Sequence, residues 1–110
     1  VIQNSIDCYD VSKWLDDALY LKKTRNLMKE LINIGLLDSF RIKYPYKQEY
    51  SFWDYQAGAW QKDNGIRIDF LLISPEIVDL LLDAGIDKNI RGKTKPSDHT
   101  PVWIEFIKIN

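Results

Sequence analysis

One cysteine, one histidine, no surplus of either charge and no long apolar run: these scarcities bound the chain before any motif is read. With Cys8 alone, no intrachain disulfide can form, which fits a reducing compartment. No apolar stretch reaches the ~18 residues that span a bilayer, and no signal peptide is visible, so a membrane partner is not expected. Fifteen basic side chains stand against sixteen acidic ones, for a net charge of -1. That lacks the basic surplus by which nucleic-acid binders usually show themselves. A local basic edge is open to Arg41, Lys43, Lys47, Arg67, Arg91, Lys93 and Lys95, which fall in loops or strand ends; solvated surface is the favoured reading of them. No internal repeat, low-complexity tract or linker interrupts the chain, so residues 1–110 read as one unit, burying roughly 65% of the unfolded surface. It begins at Val1 rather than methionine, and a piece of something longer is expected.

Periodicity supplies the elements. Val1 to Asp17 is polar and irregular and reads as a loop, with a turn at Tyr9-Asp10. Tyr20 to Ile34 is helical, with Leu27, Leu31 and Ile34 on one face at i, i+4, i+7, predicting a helix that covers a sheet. Gly35 is placed to end it in the left-handed conformation. Leu36 to Phe40 is a short apolar segment, and Tyr44-Pro45-Tyr46 a break. Tyr50 to Tyr55 reads as an aromatic strand. Lys62-Asp63-Asn64-Gly65 is a turn with glycine where positive φ is cheap. Ile66 to Ser74 is a strong strand that enters at a polar rim and runs into a core covered on both sides. Pro75 opens one or two helical turns through Leu82, Ile86 to Ile90 is a short strand, and Pro101 to Ile109 is the last strand.

The chemistry concentrates in Ser97-Asp98-His99-Thr100-Pro101-Val102, read with Arg67-Ile68-Asp69-Phe70-Leu71-Leu72. Neighbouring side chains in an extended loop point apart, so Asp98 and His99 can face different features of one cavity, the acid a metal and the imidazole a phosphate. Asp69 can hydrogen-bond the second ring nitrogen of His99 and set its tautomer. Two carboxylates and an imidazole so placed suit metal-assisted phosphodiester hydrolysis. The competing reading of Ser-Asp-His before a strand is a turn or cap with no catalytic part. Phe52, Trp53, Tyr55 and Trp60 likewise read either as faces that stack on bases or fill the gap of a missing one, or as a packed sheet face.

The order Tyr50-Ser51-Phe52-Trp53-Asp54-Tyr55, Gly65-Ile66-Arg67-Ile68-Asp69, Ala84-Gly85-Ile86-Asp87 with Ile90-Arg91, and Lys95-Pro96-Ser97-Asp98-His99-Thr100-Pro101-Val102 resembles the exonuclease III family of abasic-site endonucleases. The resemblance runs from about Val11 to the end. Asp-His alone is shared with the wider endonuclease, exonuclease and phosphatase superfamily. The aromatic block and the Gly-Ile-Asp segment are what point to the DNA-repair branch.

The resemblance implies an α/β (α+β) fold: half of a four-layer, DNase I-like sandwich, with one mixed, mostly antiparallel sheet and a covering helix. It implies Asp98 and His99 at the metal (Mg²⁺ or Mn²⁺), His99 at the scissile phosphate as a catalytic residue and Asp69 orienting it. It implies an abasic-site pocket drawn from Phe52, Trp53, Ile66, Arg67 and Ile68, with Trp53 more a packing residue. Gln56 departs from the basic residue of many bacterial members, and a phosphate contact there is not expected. The implied partners are double-stranded DNA with abasic sites or 3′ ends, and an N-terminal half of the same fold carrying most metal ligands and the acid that activates water. Val1-Ile2-Gln3-Asn4 looks like the residues just after that acid, so the chain by itself is expected to be inactive. The implied activity is metal-dependent cleavage 5′ to abasic sites with 3′-to-5′ exonuclease action, in a bacterial cytoplasm beside the nucleoid. Two alternatives stand: a superfamily phosphatase or phospholipase, and a module that binds DNA or a partner without cleaving.

Overall fold

Lys22 begins a run rich in good helix formers, and helix α1 spans Lys22–Asn33. Gly35 closes it at φ 106°, the left-handed conformation that costs glycine nothing. The face that α1 buries is not the predicted one. Met28 is buried and Thr24, Arg25 and Ile32 are half-buried, whereas Leu27, Leu31 and Ile34 are exposed. Faces one residue apart on a helix differ by ~100°. Only the Met28 face meets the rest of the described chain.

The computed structural model describes residues 1–108. Ahead of α1, the expected loop contains two 3-10 turns, Ser5–Asp7 and Val11–Lys13. The second is capped by Asp10, whose carboxylate accepts the Ser12 N–H at 3.0 Å. After α1, strand β1 (Leu37–Asp38) leads directly into helix α2 (Ser39–Lys43). β1 pairs antiparallel with β2 (Leu72–Ile73), Leu37 opposite Ile73. A 3-10 turn over Pro75–Leu80 delivers the chain to β3 (Leu81–Ile86). The short helix α3 (Lys88–Arg91) follows, then β4 (Val102–Phe106). β3 and β4 are antiparallel, with Ala84 opposite Ile104, Ile86 opposite Val102, and a register shift between Leu81 and Asp83.

The mixed helix and antiparallel sheet stand as predicted, but the single sheet is replaced by two small ones, β1-β2 and β3-β4. The long Ile66–Ser74 strand contributes only Leu72–Ile73 to a ladder. Upstream, its amides find other acceptors: Arg67 N–H reaches the Asp7 carbonyl at 2.7 Å, and the Ile68 and Asp69 N–H groups reach the Ser51 hydroxyl. Tyr50–Tyr55 is not a strand either; Phe52 alone bridges Ile66 on one side and His99 on the other. Leu81-Leu82 belongs to β3 rather than to a helix, and Ile86–Ile90 is the end of β3 followed by α3. The last strand ends at Phe106, and Ile109 lies outside the described residues.

Two clusters hold the site in place. Ile2, Cys8 and Ile66 are buried with Phe52, Ile68 and Trp14 against them. Tyr50, Trp53 and Ala59 form the second, with Trp60. Gly65 joins them by close approach, since a Cβ there would lie 2.6 Å from Tyr50 Cβ and 2.7 Å from Trp53 Nε1. The positive φ of its turn falls instead on Asp63, at 54°. No helix among the described residues is long and apolar enough to cross a membrane.

Candidate active site

Three short segments meet where the sequence places its single imidazole. Phe52 is extended between Ile66 and His99, exchanging Phe52 N–H to Ile66 O at 3.0 Å and Ile66 N–H to Phe52 O at 3.0 Å. On its other side, Trp53 N–H donates to Asp98 O and Thr100 N–H to Ser51 O, both at 2.9 Å. The loop before His99 is closed by its own serine, whose Oγ accepts the His99 N–H at 3.1 Å. The outcome is that His99 Nδ1 lies 2.8 Å from Asp69 Oδ2. Both side chains are partly open to solvent, 43% and 35% exposed, so a ligand can reach them. The Phe52 ring stands edge-on to the imidazole, with centroids 5.0 Å apart and an interplanar angle of 66°.

Asp98, next to His99 in the chain, is half-buried, and its carboxylate is engaged only weakly, by the Ser97 hydroxyl at 3.4 Å. It keeps lone pairs for a hard cation. His99 is the poorer ligand: one ring nitrogen is committed to Asp69, and Mg²⁺ prefers oxygen. No group of three His, Cys, Asp or Glu side chains gathers among the described residues, so these residues offer a metal one firm donor.

Phe52, Ile66, Tyr9, Trp14 and Asn64 line a cleft of about 180 Å³. Ile68, half-buried, packs beside Phe52 at its edge. Three members of the predicted pocket have almost no surface of their own, Ile66 among them at 1% exposure, behind Phe52. Trp53 is 1% exposed, with its Nε1–H bound to Asp63 Oδ1 at 3.0 Å and its ring edge-on to Trp60 at 5.1 Å. Arg67 is also 1% exposed and cannot reach a nucleic acid. Its Nε donates to Asp7 Oδ1 at 2.8 Å, and its two terminal nitrogens fork onto Asp38 at 3.1 and 2.6 Å. Burial opposes the charge of this guanidinium, but hydrogen bonds and attraction from Asp38 and Asp7 outweigh it and raise its pKa above the ordinary arginine value. Arg41 completes the network on Asp7 at 2.5 Å. Arg91, another residue read as surface, is buried with Nη2 on the Trp53 carbonyl at 3.0 Å.

No family model matches the chain. Individual proteins do. It is 38% identical over 97 residues to the exodeoxyribonuclease III of Haemophilus influenzae, covering 86% of this chain and 36% of that protein. It is 32% identical to an exodeoxyribonuclease of Bacillus subtilis, covering 93% of this chain and 39% of the relative. The fold superposes on a Neisseria 3′ phosphatase, NExo, bound to a product DNA hairpin, with TM-score 0.92 and 35% identity over 96% of this chain and 41% of that one. An AP endonuclease from Archaeoglobus fulgidus matches with TM-score 0.91 and 29% identity, over 96% and 42%.

Over most of its length the chain is similar to exodeoxyribonucleases of the exonuclease III type. It spans somewhat over a third of the length of these bacterial curated relatives. The fold brings together His99, Asp69 and Phe52, with Ile68 packed beside Phe52; it turns Trp53, Arg67 and Ile66 inward. Sequence reasoning missed Asp7, Asp38 and Ser51, which hold the segment carrying Asp69. An acid to match the inward Arg67 was the one available signal, but Asp7 and Asp38 lie 60 and 29 residues from it.

Proposed function

We propose that the protein carrying this chain is a DNA-repair nuclease that hydrolyses phosphodiesters 5′ to abasic sites and trims 3′ ends, using Mg²⁺ or Mn²⁺, at work in the cytoplasm beside the nucleoid. The observation that carries this reading is the Asp69–His99 pair at 2.8 Å with the Phe52 ring against the imidazole. Asp69 accepts the Nδ1–H of His99 and so selects the tautomer and the ring orientation. Nε2 is then the atom left to meet a phosphate oxygen. With both nitrogens protonated, the ring donates to the charge that develops on phosphorus while keeping its bond to Asp69. Phe52, backed by the buried Ile66, offers an apolar wall to a sugar that lacks its base, which a paired nucleotide cannot occupy. Asp98 is this chain's donor to the metal, and the metal, when bound, supplies charge neutralisation and water activation. The remaining donors and the rest of the fold come from the portion of the relatives that this chain does not span. Relatives described as a 3′ phosphatase and a 3′-5′ exonuclease favour 3′ ends as a further substrate.

The test uses the protein carrying this chain, an abasic-site duplex and Mg²⁺. His99→Ala should lower kcat by at least ~10², the cost of one preorganised transition-state donor. Phe52→Ala should erode the preference for abasic over intact duplex and leave hydrolysis itself in place. Undiminished incision by His99→Ala would overturn the reading. So would absence of DNA cleavage together with hydrolysis of phospholipids or inositol phosphates.

A further inference from the structure

Ser51 is fully buried, lies inside the aromatic run and touches no atom that would react. Its backbone N–H, its carbonyl and its hydroxyl oxygen are all engaged. Its N–H donates to Ile66 O at 2.9 Å, and its carbonyl accepts the Thr100 N–H at 2.9 Å. Its Oγ accepts two backbone donors, Ile68 N–H at 3.1 Å and Asp69 N–H at 3.2 Å. Asp69 and His99 are thirty residues apart, and their segments do not pair with each other; each is tied to residues 51–52 instead.

We propose that Ser51 is a positioning residue that sets the Asp69–His99 hydrogen bond. The hydroxyl grips the amide of Asp69 itself. The carbonyl of the same residue grips the amide that follows His99. One side chain and one peptide unit therefore fix both ends of the pair, and the proposal rests on the role given to that pair above. Without the hydroxyl, two N–H groups lose their protein acceptor, and the segment must shift to find water. A productive site tolerates roughly 0.5 Å of such movement, and about 1 Å costs up to ~10² in rate.

The test takes Ser51→Ala, Ser51→Thr, Ser51→Val, Asp69→Asn and the double variant Ser51→Ala/Asp69→Asn in the protein carrying this chain. Incision of an abasic duplex with Mg²⁺ gives kcat and KM, and hydrogen exchange reports the Ile68 and Asp69 amides. The alanine and valine variants should lose roughly 10- to 100-fold in kcat, with KM within about twofold. Threonine keeps the hydroxyl and should restore kcat to within about threefold; valine has the same shape without it. The two amides should lose protection in the alanine variant. In the Asp69→Asn background, Ser51→Ala should cost far less than in the parent, since a residue acting through Asp69 has nothing left to position. A threonine variant as slow as valine, or full additivity with Asp69→Asn, would overturn the proposal. If alanine prevents folding, the threonine and valine pair decides alone. A parent rate in Asp69→Asn would instead remove the catalytic role of the pair, leaving the amide exchange to judge Ser51.

Discussion

Replacing Arg67 by methionine removes a charge while keeping most of the volume, and it tests what the buried ion network contributes. Arg67 is 1% exposed and Asp7 is fully buried, while Asp38 is 10% exposed. At ~4 Å and an effective dielectric of ~20, each carboxylate contact has a gross attraction of ~4 kcal/mol. The variant is spared the burial of a guanidinium, which offsets much of the sum. Asp7 keeps Arg41 at 2.5 Å, whereas Asp38 keeps only a long cap bond from the Arg41 N–H at 3.4 Å, so the larger loss falls on Asp38. An orphaned carboxylate can always neutralise itself, and from an ordinary aspartate value of ~3.9 to pH 7 that costs ~4 kcal/mol, which sets a ceiling. Loss of one partner from a buried pair typically costs ~3–5 kcal/mol. The stacking of the guanidinium on Phe40 and Phe70, 5.2 and 4.8 Å from the ring centroids, goes with it. The expected loss is therefore ~3–5 kcal/mol, a large share of a typical ~5–15 kcal/mol. Urea unfolding followed by tryptophan fluorescence measures it, with the slope m unchanged so that the midpoint reports stability. Arg67→Lys should recover only part, because an ammonium cannot fork onto Asp38. A methionine variant within about 1 kcal/mol of the parent would refute the reasoning. So would a variant of parental stability whose only defect is weaker DNA binding with a shallower salt dependence, the mark of a phosphate contact.

Gly65→Ala should destabilise by ~1–3 kcal/mol despite the small change, because its Cβ would lie 2.6 Å from Tyr50 Cβ with both neighbouring rings buried; the same urea titration checks it. Tyr50, pushed up to about 12 mainly by burial and then by the charge of Asp63, should ionise late in an alkaline absorbance titration, well above the ordinary tyrosine value of ~10. Its folded value lies above its unfolded one, so its contribution to stability is complete below about 10 and is lost as pH rises toward 12. Tyr50→Phe should flatten the alkaline limb of the stability curve between those values.

Charge balance shows how a total can mislead. A net charge of -1 carries no basic surplus, but it is silent on where the charges lie. Two of the residues read as a basic surface edge, Arg67 and Arg91, are buried against carboxylates and a carbonyl. Counting charges says nothing about which face of the molecule they occupy.

What the sequence by itself determined is local. Gly35 ends α1 because no side chain obstructs its left-handed backbone, and Ser97-Asp98-His99 closes on itself because a serine hydroxyl can accept the His99 amide two residues on. Ordered motifs on one chain mark Asp69, His99 and Phe52 as members of one site, and the fold sets them in contact. Tertiary structure decided everything that depends on which partner a group finds. Leu27, Leu31 and Ile34 have impeccable helical spacing and still face outward, since spacing defines a face but not what covers it. Ile66–Ser74 alternates like a strand and forms little ladder, because Asp7 and Ser51 take its amides. Trp53 and Arg67 resemble ligand contacts in sequence, but a neighbouring ring and two distant acids offer each a buried partner, and folding satisfies that partner first.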